Sequence, residues 1–186
     1  NSLGVTWGDV DGDGAVDLYV CQRGSANGLY MNDGDGVFVN EAAARRVATT
    51  LNSRQALLFD VNSDGWLDIA VVNKDHANEL FINNGAGVFT ESGSTRGFSD
   101  SGNAEGATLA DVNGDGVLDI YVANWNSRDL LCIGAISGAG DFTEQGVARG
   151  IGASDGGSRG VTALDIGHDG DIDLVVLFAF AAGLAS

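Results

Sequence analysis

Thirteen aspartates and two asparagines are spaced through four short segments as an oxygen cage for a hard cation would need them. The segments read Asp9-Val-Asp-Gly-Asp-Gly-Ala-Val-Asp17, Asp60-Val-Asn-Ser-Asp-Gly-Trp-Leu-Asp68, Asp111-Val-Asn-Gly-Asp-Gly-Val-Leu-Asp119 and Asp165-Ile-Gly-His-Asp-Gly-Asp-Ile-Asp173. Side-chain oxygens fall at loop positions 1, 3, 5 and 9. These are Asp9, Asp11, Asp13 and Asp17; Asp60, Asn62, Asp64 and Asp68; Asp111, Asn113, Asp115 and Asp119; and Asp165, Asp169 and Asp173. Glycine at position 6 permits a sharp turn. Position 7, occupied by Ala15, Trp66, Val117 and Asp171, can then offer a backbone carbonyl. Oxygen ligands with no histidine or cysteine at the ligand positions select calcium over zinc or copper. One such segment reads equally well as a tight Asx-turn hairpin. Four in register favour a bound cation, because crowded carboxylates repel unless a positive charge offsets them. The fourth loop has Gly167 where the third ligand should be, so a weaker site is expected there.

The loops begin at Asp9, Asp60, Asp111 and Asp165, so the interval between them is almost constant. At one fixed offset from each of the first three starts comes a second block, Leu29-Tyr-Met-Asn32, Leu80-Phe-Ile-Asn83 and Leu131-Cys-Ile-Gly134. A third block closes each unit at Phe38, Phe89 and Phe142. Each unit reads as four short strands. The first strand (Val5–Gly8, Ala56–Phe59, Ala107–Ala110, Val161–Leu164) enters the aspartate loop. The second (Leu18–Cys21, Ile69–Val72, Ile120–Ala123, Leu174–Leu177) leaves it as an unbroken apolar run, the pattern of a strand buried on both faces. The third and fourth flank the glycine turns Asn32–Gly36 and Asn83–Gly87. A four-stranded unit of about 50 residues repeating along a chain predicts an all-β array of propeller-like antiparallel blades. About 3.6 such units form a single repeat domain over 1–186, with blades at 1–50, 51–100 and 101–154 and a partial fourth at 155–186.

The aspartate loop, the following Leu-Tyr/Phe-x-Asn block and the Gly-x-Gly-x-Phe turn resemble the FG-GAP/VCBS repeats of integrin-α-type β-propellers. The variety found in cartilage acidic proteins is the most similar. The resemblance implies stabilising calcium ions between the first and second strands, and an extracellular or cell-surface setting in adhesion, carbohydrate binding or assembly. Seven blades are usual in that family, against about 3.6 here. An array that does not close leaves apolar blade faces at both ends. The uncharged run from Leu174 to Ala185 sharpens the point. The expected resolution is head-to-tail completion by copies of the chain, as a ring or filament, or by other extracellular proteins. The alternatives are a lectin-like module and a segment of a larger surface protein or enzyme; Asn1 in place of an initiator methionine fits a processed product as well as part of something longer.

The composition narrows the partners. Twenty-six acidic residues against nine basic ones give a net charge of −17, which disfavours nucleic acid and anionic membrane surfaces. Four calcium ions would bring it to about −9, since −17 + 8 = −9. No stretch is apolar for long enough to predict a membrane span. No Ser-His-Asp order, phosphate loop or zinc motif is present, and the paired carboxylates belong to the repeat, so no enzyme activity is expected. Cys21 and Cys132 fall in apolar repeat positions and are read as core, and His76 and His168 as surface residues. Trp7, aligned with Leu58 and Leu109, is expected in the core. Trp66 is expected to point outward. Trp66 and Trp125 are the two indoles that could stack on a sugar, or else lie across a neighbouring blade.

Overall fold

The computed structural model describes residues 1–151 and 157–179, and within them it is built of strands and turns. Strands β1 (Ser2–Gly8), β2 (Asp17–Gln22), β3 (Gly28–Asn32) and β4 (Phe38–Asn40) pair antiparallel in chain order. The meander repeats in β5 (Ser53–Phe59), β6 (Asp68–Asn73), β7 (Glu79–Asn83) and β8 (Phe89–Glu91). It repeats again in β9 (Ala104–Ala110), β10 (Asp119–Asn124), β11 (Leu130–Gly134) and β12 (Phe142–Glu144). Strands β13 (Gly157–Leu164) and β14 (Asp173–Ala179) make a two-stranded fourth sheet. The all-β, propeller-like blade architecture is as the repeat implied. The apolar run expected to end the chain continues past β14 into 180–186, outside the described residues.

The first strands begin three or four residues earlier than hydropathy suggests. Ser53, Ala104 and Ser158 precede the expected strand starts, yet they pair with Asn73, Asn124 and Phe178 across a register shift. Such a bulge admits one unpaired residue without ending the ladder. The linker after β4 forms one turn, with Arg45 N–H donating to the Glu41 carbonyl and Val47 N–H to that of Ala42.

Alternation along each strand divides its side chains between two interblade layers. From the second blade, Ala56, Ile69, Val71 and Phe81 pack against Tyr19, Cys21, Leu29 and Val47 of the first blade and its linker. Phe59, Ala70, Val72 and Leu80 face the other way, onto Ala107, Ile120, Val122 and Cys132 of the third. The second strands β6 and β10 are buried throughout, as a strand sandwiched between two sheets must be. Both cysteines are free and buried, and burial pushes each thiol up to about 12.

Trp7 departs from the core position its alignment implied. It is 57% exposed, its ring edge-on to Phe38 at 6.2 Å. Leu58, the aligned residue, packs into the layer between the first and second blades, whereas Trp7 lies on the face of the first blade that no described sheet covers. Val5 shares that face, and Val175 and Leu177 form its counterpart on the fourth sheet.

At the ends of the blades opposite the aspartate loops, a second repeated element locks the chain. Asn27, Asn78 and Asp129 each accept, through Oδ1, the backbone N–H of Gln22, Asn73 and Asn124 at 2.8, 2.9 and 2.7 Å. The lock reaches the next blade twice. Asn27 Nδ2 donates to Ser53 Oγ, and Ser158 Oγ donates to Asp129 Oδ2. Beside it, the Glu79 carboxylate accepts bonds from Thr49 Oγ1 and Asn73 Nδ2, and burial raises its pKa above the ordinary 4.5. A raised folded-state pKa means that the native chain holds the proton after the unfolded chain has released it. Stability from this group is therefore lost as pH rises through the folded value. Glu79→Gln, whose amide oxygen can accept both bonds, is expected to melt higher than the parent at pH 7.5. The difference should vanish near pH 4, and parallel melting curves across that range would count against it.

Candidate metal centre

Each aspartate loop is wound about its first carboxylate. Gly12 and Gly14 N–H donate to the two oxygens of Asp9, Asp64 and Gly65 N–H to those of Asp60, and Gly114 and Gly116 N–H to those of Asp111. The fourth loop keeps the pattern, with Asp169 and Gly170 N–H on Asp165. Position 6 has φ of 91°, 90°, 84° and 93° at Gly14, Gly65, Gly116 and Gly170, a conformation that side chains strongly disfavour. Donors from Gly116, Asp115 and Gly114 hold the Asp111 carboxyl below its ordinary range, Gly116 contributing most.

Position 9 closes the loop on the sheet. Asp17, Asp68 and Asp119 are buried at the head of the second strand. One oxygen of each accepts the N–H of loop position 2, at Val10, Val61 and Val112. The other accepts the N–H at the end of the third strand, at Asn32, Asn83 and Gly134. Burial pushes all three carboxyls up, Asp68 to about 6, while the backbone donors pull them back. Asp173 repeats the first half of the staple with Ile166 N–H but lies exposed.

The first loop brings three of its expected ligands together. One oxygen each of Asp9, Asp11 and Asp17 lie within 4.8 Å of one another. Calcium–oxygen bonds of roughly 2.3–2.6 Å reach ligand oxygens at that separation. Asp11 Oδ2 is 2.9 Å from Arg45 Nη2, while its Oδ1 is buried with no hydrogen-bond partner. A buried carboxylate oxygen left without a donor fits a cation in the ring of aspartates. Asp13 lies outside that group of three, and its Oδ1 accepts the Ala15 N–H.

Loops two and three are arranged differently at position 3. Asn62 Nδ2 donates to Asp64 Oδ2 at 2.9 Å, and Asn113 Nδ2 to Asp115 Oδ2 at 2.8 Å, so an amide quiets the carboxylate that repels its neighbours in loop one. At position 7, the N–H groups of Trp66, Val117 and Asp171 donate to the position-5 carboxylates. The Arg45 contacts are not legible in the spacing. Its guanidinium ties loop one to the carbonyls of Ala86 and Gly87 in the β7–β8 turn of the next blade. Arg96, its equivalent one repeat on, finds Asn62 instead of an aspartate at position 3, and pairs with Asp141 at 3.6 Å.

Trp66 does not point outward as expected. Its ring lies between loop one and the β7–β8 turn, where a Cβ on Gly12 or Gly85 would come within 3 Å of it. Trp125 likewise crosses to the next sheet, with Arg159 stacked 4.0 Å above its ring centroid. Both indoles serve interblade packing.

The position-9 staple carries a prediction separable from metal binding. Asp68→Ala strands two buried N–H donors, costing about 2–4 kcal/mol in chelator. Asp64→Ala, at an exposed position, should cost less than about 1 kcal/mol in the same buffer. Urea unfolding of both variants measures the difference, and equal losses would deny the staple its role.

Comparison with known proteins places this repeat in a family. The model of the FG-GAP-like repeat matches residues 9–71 and 60–122. Cartilage acidic protein 1 of Xenopus tropicalis is 26% identical over 181 residues, covering 93% of this chain and 28% of that protein. The Mus musculus protein of the same name is 31% identical over 134 residues, covering 72% of this chain and 21% of its own length. The chain thus spans about a quarter of the curated relatives it matches. Among solved structures, a lectin of Agrocybe aegerita, studied for its recognition of non-reducing terminal N-acetylglucosamine, aligns with a TM-score of 0.44 and 22% identity. The alignment covers 75% of this chain and 36% of that one. With the family model matched twice across consecutive blades, the chain belongs to the FG-GAP-like repeat family.

Proposed function

We propose that this chain is a calcium-stabilised part of an extracellular propeller-like protein, working by presenting a binding surface and not by catalysis. The observation that carries the reading is the ring of Asp9, Asp11 and Asp17 with its buried, unpartnered Asp11 oxygen. Calcium bound there would offset the repulsion among the carboxylates and join the loop to the sheet through Asp17. Loops two and three would bind through Asp60, Asn62, Asp64 and Asp68, and through Asp111, Asn113, Asp115 and Asp119. Their position-5 carboxylates would first release the asparagine amide. The fourth loop, with Gly167 at position 3, would hold calcium most weakly. An extracellular setting suits such loops, because extracellular calcium modules commonly bind at roughly 10⁻⁴–10⁻³ M.

The apolar end faces support the second half of the reading. Val5 and Trp7 at one end, and Val175 and Leu177 at the other, stand at repeat positions that elsewhere pack between blades. Further blades of the same repeat would cover them, in a longer chain or a neighbouring copy joined head to tail. The sugar-stacking role for Trp66 and Trp125 loses its support, since both rings are engaged by neighbouring blades.

Melting in millimolar calcium and in chelator tests the calcium reading. A rise of many degrees with calcium is expected, and coincident melts would overturn it. In titration calorimetry, Asp11→Asn should weaken the first site about tenfold by removing a ligand charge. Asp169→Ala should change the total heat least. Light scattering of Trp7→Glu against the parent tests the end face: loss of self-association in the variant is expected if copies meet there.

A further inference from the structure

Only nine of the 186 residues are lysine or arginine, yet three of them converge on one carboxylate. Glu105, 9% exposed, has Arg54 Nη2 at 3.4 Å and Lys74 Nζ at 3.2 Å from Oε1, and Arg159 Nη1 at 3.9 Å from Oε2. Arg54 and Lys74 share one oxygen, which holds their nitrogens close enough for a single small anion to touch both. Leu3, Arg54, Glu105 and Arg159 hold the same repeat position on β1, β5, β9 and β13, and these first strands pack side by side in series. The position lies near the start of each first strand, at the end of the blades opposite the aspartate loops. Lys74 joins from the chain just beyond β6. Trp125, just beyond β10, supports the Arg159 guanidinium by cation–π contact.

Cations outnumber the carboxylate they share at this point of an acidic chain. Among the described residues three cations pair with this one carboxylate, on a chain of net charge −17. One carboxylate has too few lone pairs to satisfy two guanidinium forks and an ammonium group. Arg54 Nε in fact remains buried with no acceptor. Arg159, 45% exposed along its side chain, and Lys74, at 24%, give solvent access to the cluster. Guanidinium forks match tetrahedral oxyanions in geometry as well as in charge.

We propose that Arg54, Lys74 and Arg159 form an oxyanion subsite on the face opposite the aspartate loops, taking a tetrahedral oxyanion of the sulfate or phosphate class. Glu105 holds the three cations in place and sets the net charge that the anion meets. The group can arrive as the free ion or as an ester on a larger ligand.

The test uses the full chain in calcium-containing buffer, with sodium sulfate and sodium chloride compared at equal ionic strength. At about 10 mM, sulfate should raise the melting temperature by about 2–5 °C over chloride. Arg159→Gln combined with Lys74→Gln should abolish that increment, which a general salting effect of sulfate would leave intact. Glu105→Gln, which removes the competing charge, should melt lower in chloride and gain more from sulfate than the parent does. A sulfate ester of a monosaccharide, run in parallel, distinguishes the source. A comparable gain assigns the subsite to an ester-bearing ligand, and a gain with the free ion alone assigns it to the ion. Coincident sulfate and chloride melts in the parent and in Glu105→Gln would overturn the proposal, leaving the cluster as an interblade ion-pair network.

Discussion

The buried aspartate at the head of the second strand in each four-stranded sheet is the constraint on which the blade depends. Asp17, Asp68 and Asp119 each bind an amide at the start of their loop and another at the end of the third strand. A single side chain thereby fixes the exit of the first strand, the entry of the second and the register of the third. The cost is a carboxylate held in a place that disfavours its charge, which its raised pKa records. That cost is offset partly by the two amide donors, and a cation in the ring would offset more of it. The chemistry of the loop and the geometry of the sheet therefore share one residue.

Between blades the forces are of another kind. Each interior sheet contributes apolar side chains to two layers at once, and polar contacts tie the sheets at the two ends of the strands and, from Gln55 to Ala107, along them. At the loop end Arg45 bonds the next turn beside the packed Trp66 ring, and at the other end stand the Asn27 and Asp129 locks with their serine partners. Hydrophobic contact supplies attraction without direction, and the polar ties at both ends set how far one blade is turned on the next. Arg45 illustrates how closely the two are coupled. Where position 3 is Asp11 the arginine reaches the loop, and where it is Asn62 the amide takes over and Arg96 pairs elsewhere.

Much of this is legible in the letters. The regular recurrence of the aspartate loop, the apolar second strand and the glycine turns define the blades, because a period in sequence becomes a period in space when each unit packs only on its neighbours. The meeting of the Asp9, Asp11 and Asp17 carboxylates in loop one is legible by the same logic. Trp7 is misplaced by alignment because alignment reports the slot and not whether a partner blade stands before it. The direction of Trp66 is hidden because it depends on glycines far from it in the chain, Gly12 in the preceding repeat and Gly85 in the next hairpin. The Asn27, Asn78 and Asp129 series does recur with the repeat period, but Asn and Asp in a loop carry many meanings, and the backbone N–H they satisfy leaves no trace in sequence.

The strand order within each sheet has a consequence for how the chain reaches this state. Every described sheet joins strands only to their neighbours in sequence, so a blade can assemble from successive hairpins without waiting for distant chain. Closing short loops costs little entropy, and the search within a blade is correspondingly brief. The slower event is the meeting of two finished sheets, since most of their apolar area is buried only then. A nascent chain would therefore protect each blade as the next one emerges, and the order of synthesis becomes the order of folding.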